Sequence, residues 1–108
     1  MIGQLSPPAL HDWLNDPSRP RPLLLDVREP WEHELCRIAD SQLLPLQELP
    51  QRYSQLPRER AIVLICHHGM RSQQAANFLG RAGFTQLHNL SGGIAAWAAQ
   101  VEPAMPRY

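Results

Sequence analysis

The chain has 108 residues, 44% of them apolar, and its ten basic residues balance ten acidic ones for a formal net charge of zero at pH 7. That length fits one domain, 1–108, able to bury roughly 60–70% of its unfolded surface, and the balance excludes an overall field that would draw nucleic acid or an acidic membrane surface. All ten basic residues are arginine, which also excludes lysine-nucleophile and Schiff-base chemistry.

From the start of the chain, Ser6-Pro7-Pro8 followed by Ala9–Leu14 reads as a helix with Ser6 as N-cap and Pro7 at the first helical position. Leu10, Trp13 and Leu14 share its apolar face. The first basic residue is Arg19, so Met1–Asp16 lacks the charged start of a secretory signal. Asn15–Pro22, with three prolines, is a loop. Leu23–Val27 is a short apolar run carrying Asp26, which fits a buried strand, and Pro30–Glu34 reads as a helical turn. Asp26 is expected to pair with an arginine, and Arg28 and Glu29 to act as fold-holding ion-pair partners. Leu43–Leu46 suits a short extended piece, and Gln47–Tyr53 a helix despite Pro50.

Ala61–Cys66 is one of the two longest apolar runs, six residues against the ~20 of a membrane helix. Its β-branched residues suit a strand covered on both faces, as in a parallel sheet. Arg71–Ala82 has helical periodicity through Ala75, Ala76, Phe78, Leu79 and Ala82, with Gly83 as the left-handed stop. A strand near Gln86–Leu90 and a helix over Ile94–Gln100 follow, and Glu102–Tyr108 reads as a frayed end. Trp13, Trp31 and Trp97 read as packing residues. Strands alternating with helices at these spacings define an α/β domain with a mostly parallel sheet.

The stretch Cys66-His67-His68-Gly69-Met70-Arg71-Ser72 carries the chemistry. A buried strand ends at a cysteine, a glycine-containing turn follows, and a helix begins. Backbone N–H groups and the positive helix end then converge above the thiol. Such a field is expected to stabilise a thiolate, since helix N-termini take thiols from about 8.5 to between about 3.5 and 7.5. Gly69 permits the turn, and Arg71 offers a fork of donors to an oxyanion. Thiolate, cradle and arginine together suit nucleophilic attack on an anionic substrate.

Cys66-x-x-Gly69-x-Arg71-Ser72 resembles the active-site loop of rhodanese-homology domains, the sulfurtransferase family. Asp26-Val27-Arg28-Glu29 resembles that family's upstream signature, and Gly83-Phe84 with Leu90-Ser91-Gly92-Gly93-Ile94-x-x-Trp97 its closing motif. The resemblance implies a three-layer α/β/α fold with a central, mostly parallel sheet. It also implies a double displacement in which Cys66 takes a sulfane sulfur from thiosulfate or a similar small anionic donor. Cyanide, a thiol, thioredoxin or a sulfur-relay protein would accept it, with no cofactor or metal. His67, His68, Gly69, Met70, Arg71 and Ser72 would bind substrate. One stretch departs from the family: Cys36-Arg37-Ile38-Ala39-Asp40-Ser41 keeps only Ile38 of a Gly-His-Ile-Pro-Gly-Ala wall.

Three other readings compete. Phosphatases of the cell-cycle type share this fold, and an arsenate-reductase-like use of the loop belongs with them. Their arginine stands six positions after the cysteine; here it stands at five, a shorter cradle that suits one sulfur better than a phosphoryl group. A metal site drawing on Cys36, Cys66, His67 and His68 lacks zinc-type spacing. A redox or non-catalytic binding module is the third, with Cys36 either resolving Cys66 or acting as a small buried hydrophobe. Two cysteines suit a reducing, cytoplasmic setting better than a disulfide framework.

Overall fold

The computed structural model describes residues 2–108, built around five parallel strands. In chain order these are β1 (Ile2–Leu5), α1 (Pro7–Leu14), β2 (Leu23–Asp26), α2 (Pro30–Leu35), β3 (Gln42–Leu43), α3 (Leu49–Arg52), β4 (Ile62–Ile65), α4 (Met70–Arg81), β5 (Leu87–Leu90) and α5 (Gly93–Gln100). The strand order across the sheet is β1-β5-β4-β2-β3. β4 lies in the middle, registered with Leu23–Asp26 on one side and with Leu87–Asn89 on the other.

The apolar runs become strands because both faces of the sheet are covered. Leu23, Leu25, Val27, Ile62, Leu64 and Cys66 point into one core with Leu49 of α3 and Ala75, Ala76 and Leu79 of α4. The alternate residues Leu24, Val63 and Ile65 join Leu10 and Trp13 of α1 and Ile94 and Trp97 of α5 in the other. Period-2 alternation thus divides one continuous apolar run between two layers of helix. The expected three-layer α/β/α architecture is the one observed.

Local signals placed several ends correctly. The Ser6 hydroxyl accepts from the Ala9 N–H at 3.2 Å, a cap worth about 1 kcal/mol, and Gly83 follows α4 with φ +100°. Other expectations need correction. Ile2–Leu5 forms edge strand β1 against β5, which composition alone did not show. Gln47–Tyr53 is not one helix: Pro50 lies at the start of α3, where its missing N–H is harmless, and 3-10 turns flank it. The tryptophans do pack: Trp13 and Trp97 are buried, and Trp31, although 59% exposed, lies edge-on against Tyr108 at 5.5 Å. The tail is not frayed: Met105 is buried in the α1/α5 core, and Tyr108 packs on the site described next.

Candidate active site

Cys66 follows β4 directly, at the carboxyl edge of the sheet where ligands of open α/β folds collect. The chain turns through His67 and His68, and Gly69 caps α4 with φ +103°. A side chain there would be strained in the left-handed region and would press its Cβ to 3.3 Å from the Gly92 nitrogen. The loop is held from a second side by the start of α5. Ile94 N–H donates to the Cys66 carbonyl at 2.8 Å and Ala95 N–H to the His67 carbonyl at 3.0 Å. Two helix N-termini therefore meet at the cysteine loop, and their positive ends favour negative charge there.

The thiol is buried, 1% exposed. Its sulfur accepts from the Gly69 N–H at 3.0 Å and lies 3.2 Å from the Ser72 hydroxyl. Ser72 in turn donates to Asn89 Oδ1 at 2.5 Å. The Met70 side chain is exposed to solvent. Met70, Arg71 and Ser72 form the first turn of α4, whose N–H groups have no partner in the preceding turn.

Arg71 is where geometry corrects expectation. Its guanidinium is not an open fork: Nη1 and Nη2 donate to Glu32 Oε1 and Oε2 at 2.7 and 2.8 Å. The reason lies in Glu32, a buried carboxylate on α2 that needs a cation. The Arg71 bonds, helped by a backbone N–H and by Tyr108, hold the Glu32 carboxyl down at about 2 against the effect of burial. The same bonds, opposed by desolvation, raise Arg71 above its ordinary value, and Cys66 contributes in the same direction. Arg71 thus brings charge to the site through a fixed bidentate pair.

A second pair lies beneath it. Arg28, fully buried, donates to Asp26 through Nε and Nη2, the shortest contact being 2.7 Å. Burial works against its charge, but the Asp26 and Tyr108 bonds prevail and raise it. Asp26 therefore has the structural role expected of it, while Glu29 forms no pair with Arg28. Its side chain instead caps α2 in a reciprocal box with Glu32. Tyr108 joins the two pairs, its hydroxyl accepting from Arg28 Nη1 at 2.8 Å and donating to Glu32 Oε2 at 2.7 Å. Burial first, and the Glu32 bond with it, push this phenol up to about 12. Among the described residues no buried side-chain nitrogen or oxygen lacks a partner.

The Tyr108 ring stacks on His67 with centroids 4.0 Å apart, and His67 stacks on His68 at the same spacing. Desolvation, then the neighbouring His68, lowers the His67 pKa. These rings wall a small cleft floored by Ile94, Ala95 and Ala98 of α5. A broader concavity bounded by Ile2, Gly80, Gly83 and Leu87 lies at the amino ends of β1 and β5, away from the thiol, and no cysteine or histidine lines it. Cys36 is buried in the α1/α5 core and Cys66 in the α3/α4 core, so the sheet separates the two thiol environments. In the divergent stretch Cys36 and Ile38 point inward, while exposed Arg37 donates to the His33 carbonyl at 3.2 Å. Among the described residues no group of three His, Cys, Asp or Glu is placed to hold a metal. Among the described residues, too, no helix is long and apolar enough to cross a membrane.

Sequence reasoning found the loop but missed Glu32, Asn89 and Tyr108. Glu32 carried a weak signal, three residues after Glu29 at a helix start. The other two lie far along the chain from what they touch and carried none.

Fold and loop together define an α/β domain with a cysteine cradle at the carboxyl edge of its sheet. The Rhodanese-like domain family matches residues 6–100, and the chain belongs to that family. It is 42% identical over 76 residues to a protein named sulfurtransferase from Allochromatium vinosum, covering 70% of this chain and 71% of that one. It is 39% identical over 106 residues to the probable adenylyltransferase/sulfurtransferase MoeZ of Mycobacterium tuberculosis, spanning 96% of this chain but 26% of MoeZ. The crystal structure of a rhodanese-related protein from Thermoplasma volcanium superposes with a TM-score of 0.83 at 30% identity, covering 94% of this chain and 96% of that one.

Proposed function

We propose that this domain acts as a thiosulfate sulfurtransferase with Cys66 as the sulfur carrier. The observation that carries this reading is the Cys66 sulfur accepting the Gly69 N–H at 3.0 Å between the N-termini of α4 and α5. In the first half-reaction the Cys66 thiolate attacks the outer sulfur of thiosulfate. A new S–S bond forms, the old one breaks, and sulfite leaves with its electron pair. In the second, cyanide or a thiolate attacks the outer sulfur of the Cys66 persulfide. That S–S bond breaks and the Cys66 thiolate returns. No external oxidant, reductant, metal or organic cofactor enters the balance.

The N–H groups of the loop and of Met70–Ser72 bind the anionic donor and the persulfide, with His67 and His68 at the entrance. Arg71 acts by its charge, its fork being committed to Glu32. The acceptor is a small thiol, thioredoxin or a sulfur-relay protein, and the chain works in the reducing cytoplasm, which suits its two free thiols. The loop length supports sulfur over phosphoryl transfer, Arg71 standing five positions after Cys66.

Incubation with thiosulfate followed by intact mass measurement tests the reading. The expected result is a gain of one sulfur atom in the wild type and none in Cys66→Ser. No gain, or a gain that survives the substitution, overturns it. Turnover of a generic aryl phosphate that disappears in Cys66→Ser would establish the phosphatase reading instead.

A further inference from the structure

Two groups of unlike character touch the Cys66 sulfur: the Gly69 N–H, which can only donate, and the Ser72 hydroxyl, 3.2 Å away. A hydroxyl has one proton, so where Ser72 sends it decides which form of Cys66 it complements. Asn89, buried on β5, settles the direction. Its Nδ2 lies 3.2 Å from the Gly69 carbonyl oxygen, an acceptor only, and within 3.2 Å of the Gln73 and Gln4 side-chain oxygens. This fixes the amide plane and turns Oδ1 toward Ser72 at 2.5 Å. An amide oxygen cannot donate, so Ser72 donates to Asn89 and presents lone pairs to Cys66. A protonated sulfur complements lone pairs, and a thiolate does not.

We propose that Asn89 is a positioning residue that holds the Ser72 hydroxyl proton away from Cys66 and so opposes ionisation of the nucleophile against the pull of the Gly69 N–H. The proposal rests on reading Cys66 as the nucleophile. When the S–H proton passes to a buffer base, the hydroxyl turns from Asn89 to the sulfur, exchanging one hydrogen bond for another with no other bond changed. Activation of Cys66 is therefore opposed by the Ser72–Asn89 bond. The charged and titratable groups around the sulfur are Arg71 of α4, its partner Glu32 of α2, and the loop imidazoles His67 and His68. His88, beside Asn89 on β5, packs against Trp13 instead.

The test is the pH profile of Cys66 alkylation by iodoacetamide, which needs no sulfur donor. In Asn89→Leu the freed hydroxyl serves the thiolate, and the half-maximal pH falls by roughly one unit. In Ser72→Ala the further change Asn89→Leu leaves the profile where Ser72→Ala put it. An unchanged profile in Asn89→Leu, or an equal fall with and without Ser72, overturns the proposal. Asn89→Asp keeps an acceptor oxygen toward Ser72 and carries the test if the leucine variant does not fold. Its half-maximal pH stays or rises, and a fall overturns the proposal. Thiosulfate loading of the wild type, followed by mass, reports on the sulfurtransferase reading separately. Loading can fail while the alkylation profiles still decide the role of Asn89.

Discussion

Both terminal nitrogens of Arg71 meet both carboxylate oxygens of Glu32, at 2.7 and 2.8 Å, across 39 residues of chain. The pair joins the first turn of α4 to the first turn of α2, so the cysteine loop is anchored to the opposite half of the sheet. The carboxylate is the buried partner and the guanidinium is one-third exposed, 4% against 35%.

Acid should dissolve this anchor. The Glu32 carboxyl ordinarily titrates near 4.5 and is held at about 2 in the fold. A depressed carboxyl stabilises fully above its ordinary value, and the contribution is lost as pH falls toward the folded one. Glu32→Gln should therefore be less stable than wild type near neutrality, and the gap should close between about pH 4.5 and 2. Urea unfolding midpoints across that range check it; a gap independent of pH would contradict the account.

Tyr108 allows the ring and the hydroxyl to be tested apart. Tyr108→Phe keeps the stack on His67 but leaves Arg28 Nη1 and Glu32 Oε2 each short of a partner. The expected loss is about 1–3 kcal/mol of stability in denaturant titration. Tyr108→Ala also removes the stack, and alkylation of Cys66 should then be faster than in the phenylalanine variant. Equal rates in the two would show that the ring does not guard the loop.

His67 supplies a pH prediction by NMR. Burial lowers its pKa, so the folded state favours the neutral ring. That contribution to stability is present above the ordinary value of 6.5 and is lost as pH falls through the lowered one. In Tyr108→Ala the ring gains solvent, and its titration midpoint should rise toward 6.5. A midpoint that does not move would place the burial elsewhere.

Gly93→Ala should be severe. Gly93 has φ +60°, and an added Cβ would lie within 2.6 Å of the His67 carbonyl group and closer still to the Cys66 carbonyl oxygen. The collision is with backbone, so α5 or the loop must move. A loss of roughly 2 kcal/mol or more is expected, seen as a fall in Tm of about 8 °C or more. Gly80→Ala, inside α4 and with its Cβ meeting only the Leu87 methyl at 3.8 Å, is the control: it should not lower Tm and should raise it slightly.

The Cys66 loop could be read in the sequence because its parts are contiguous: an apolar run, a cysteine, a glycine and a helix. The strands Leu23–Asp26 and Ile62–Ile65 could be read because burial on both faces leaves an unbroken apolar run. β1 escaped because Ile2–Leu5 is a half-buried edge strand with Gly3 and Gln4 inside it, and its identity depends on pairing with β5. The free fork expected of Arg71 failed for a related reason. Glu32 is distant in sequence, and only the fold shows that a buried carboxylate claims the guanidinium. The frayed tail failed because prolines and a short polar stretch look alike whether solvated or packed, and Tyr108 is docked by residues 76 and 80 positions earlier.

The pairing of β1 with β5 also sets an order of events during folding. Ile2–Leu5 cannot join the sheet until Leu87–Leu90 is available, so its contacts close a loop of more than eighty residues, the slow kind of contact in a parallel sheet. Gln4 is the member of β1 that reaches Asn89. On a ribosome, β1 must wait for β5, and the polar cluster beside Cys66 is completed only after β5 has emerged. A nascent chain stalled before β5 would carry the finished cysteine loop sequence with neither Asn89 nor Gln4 in place beside it.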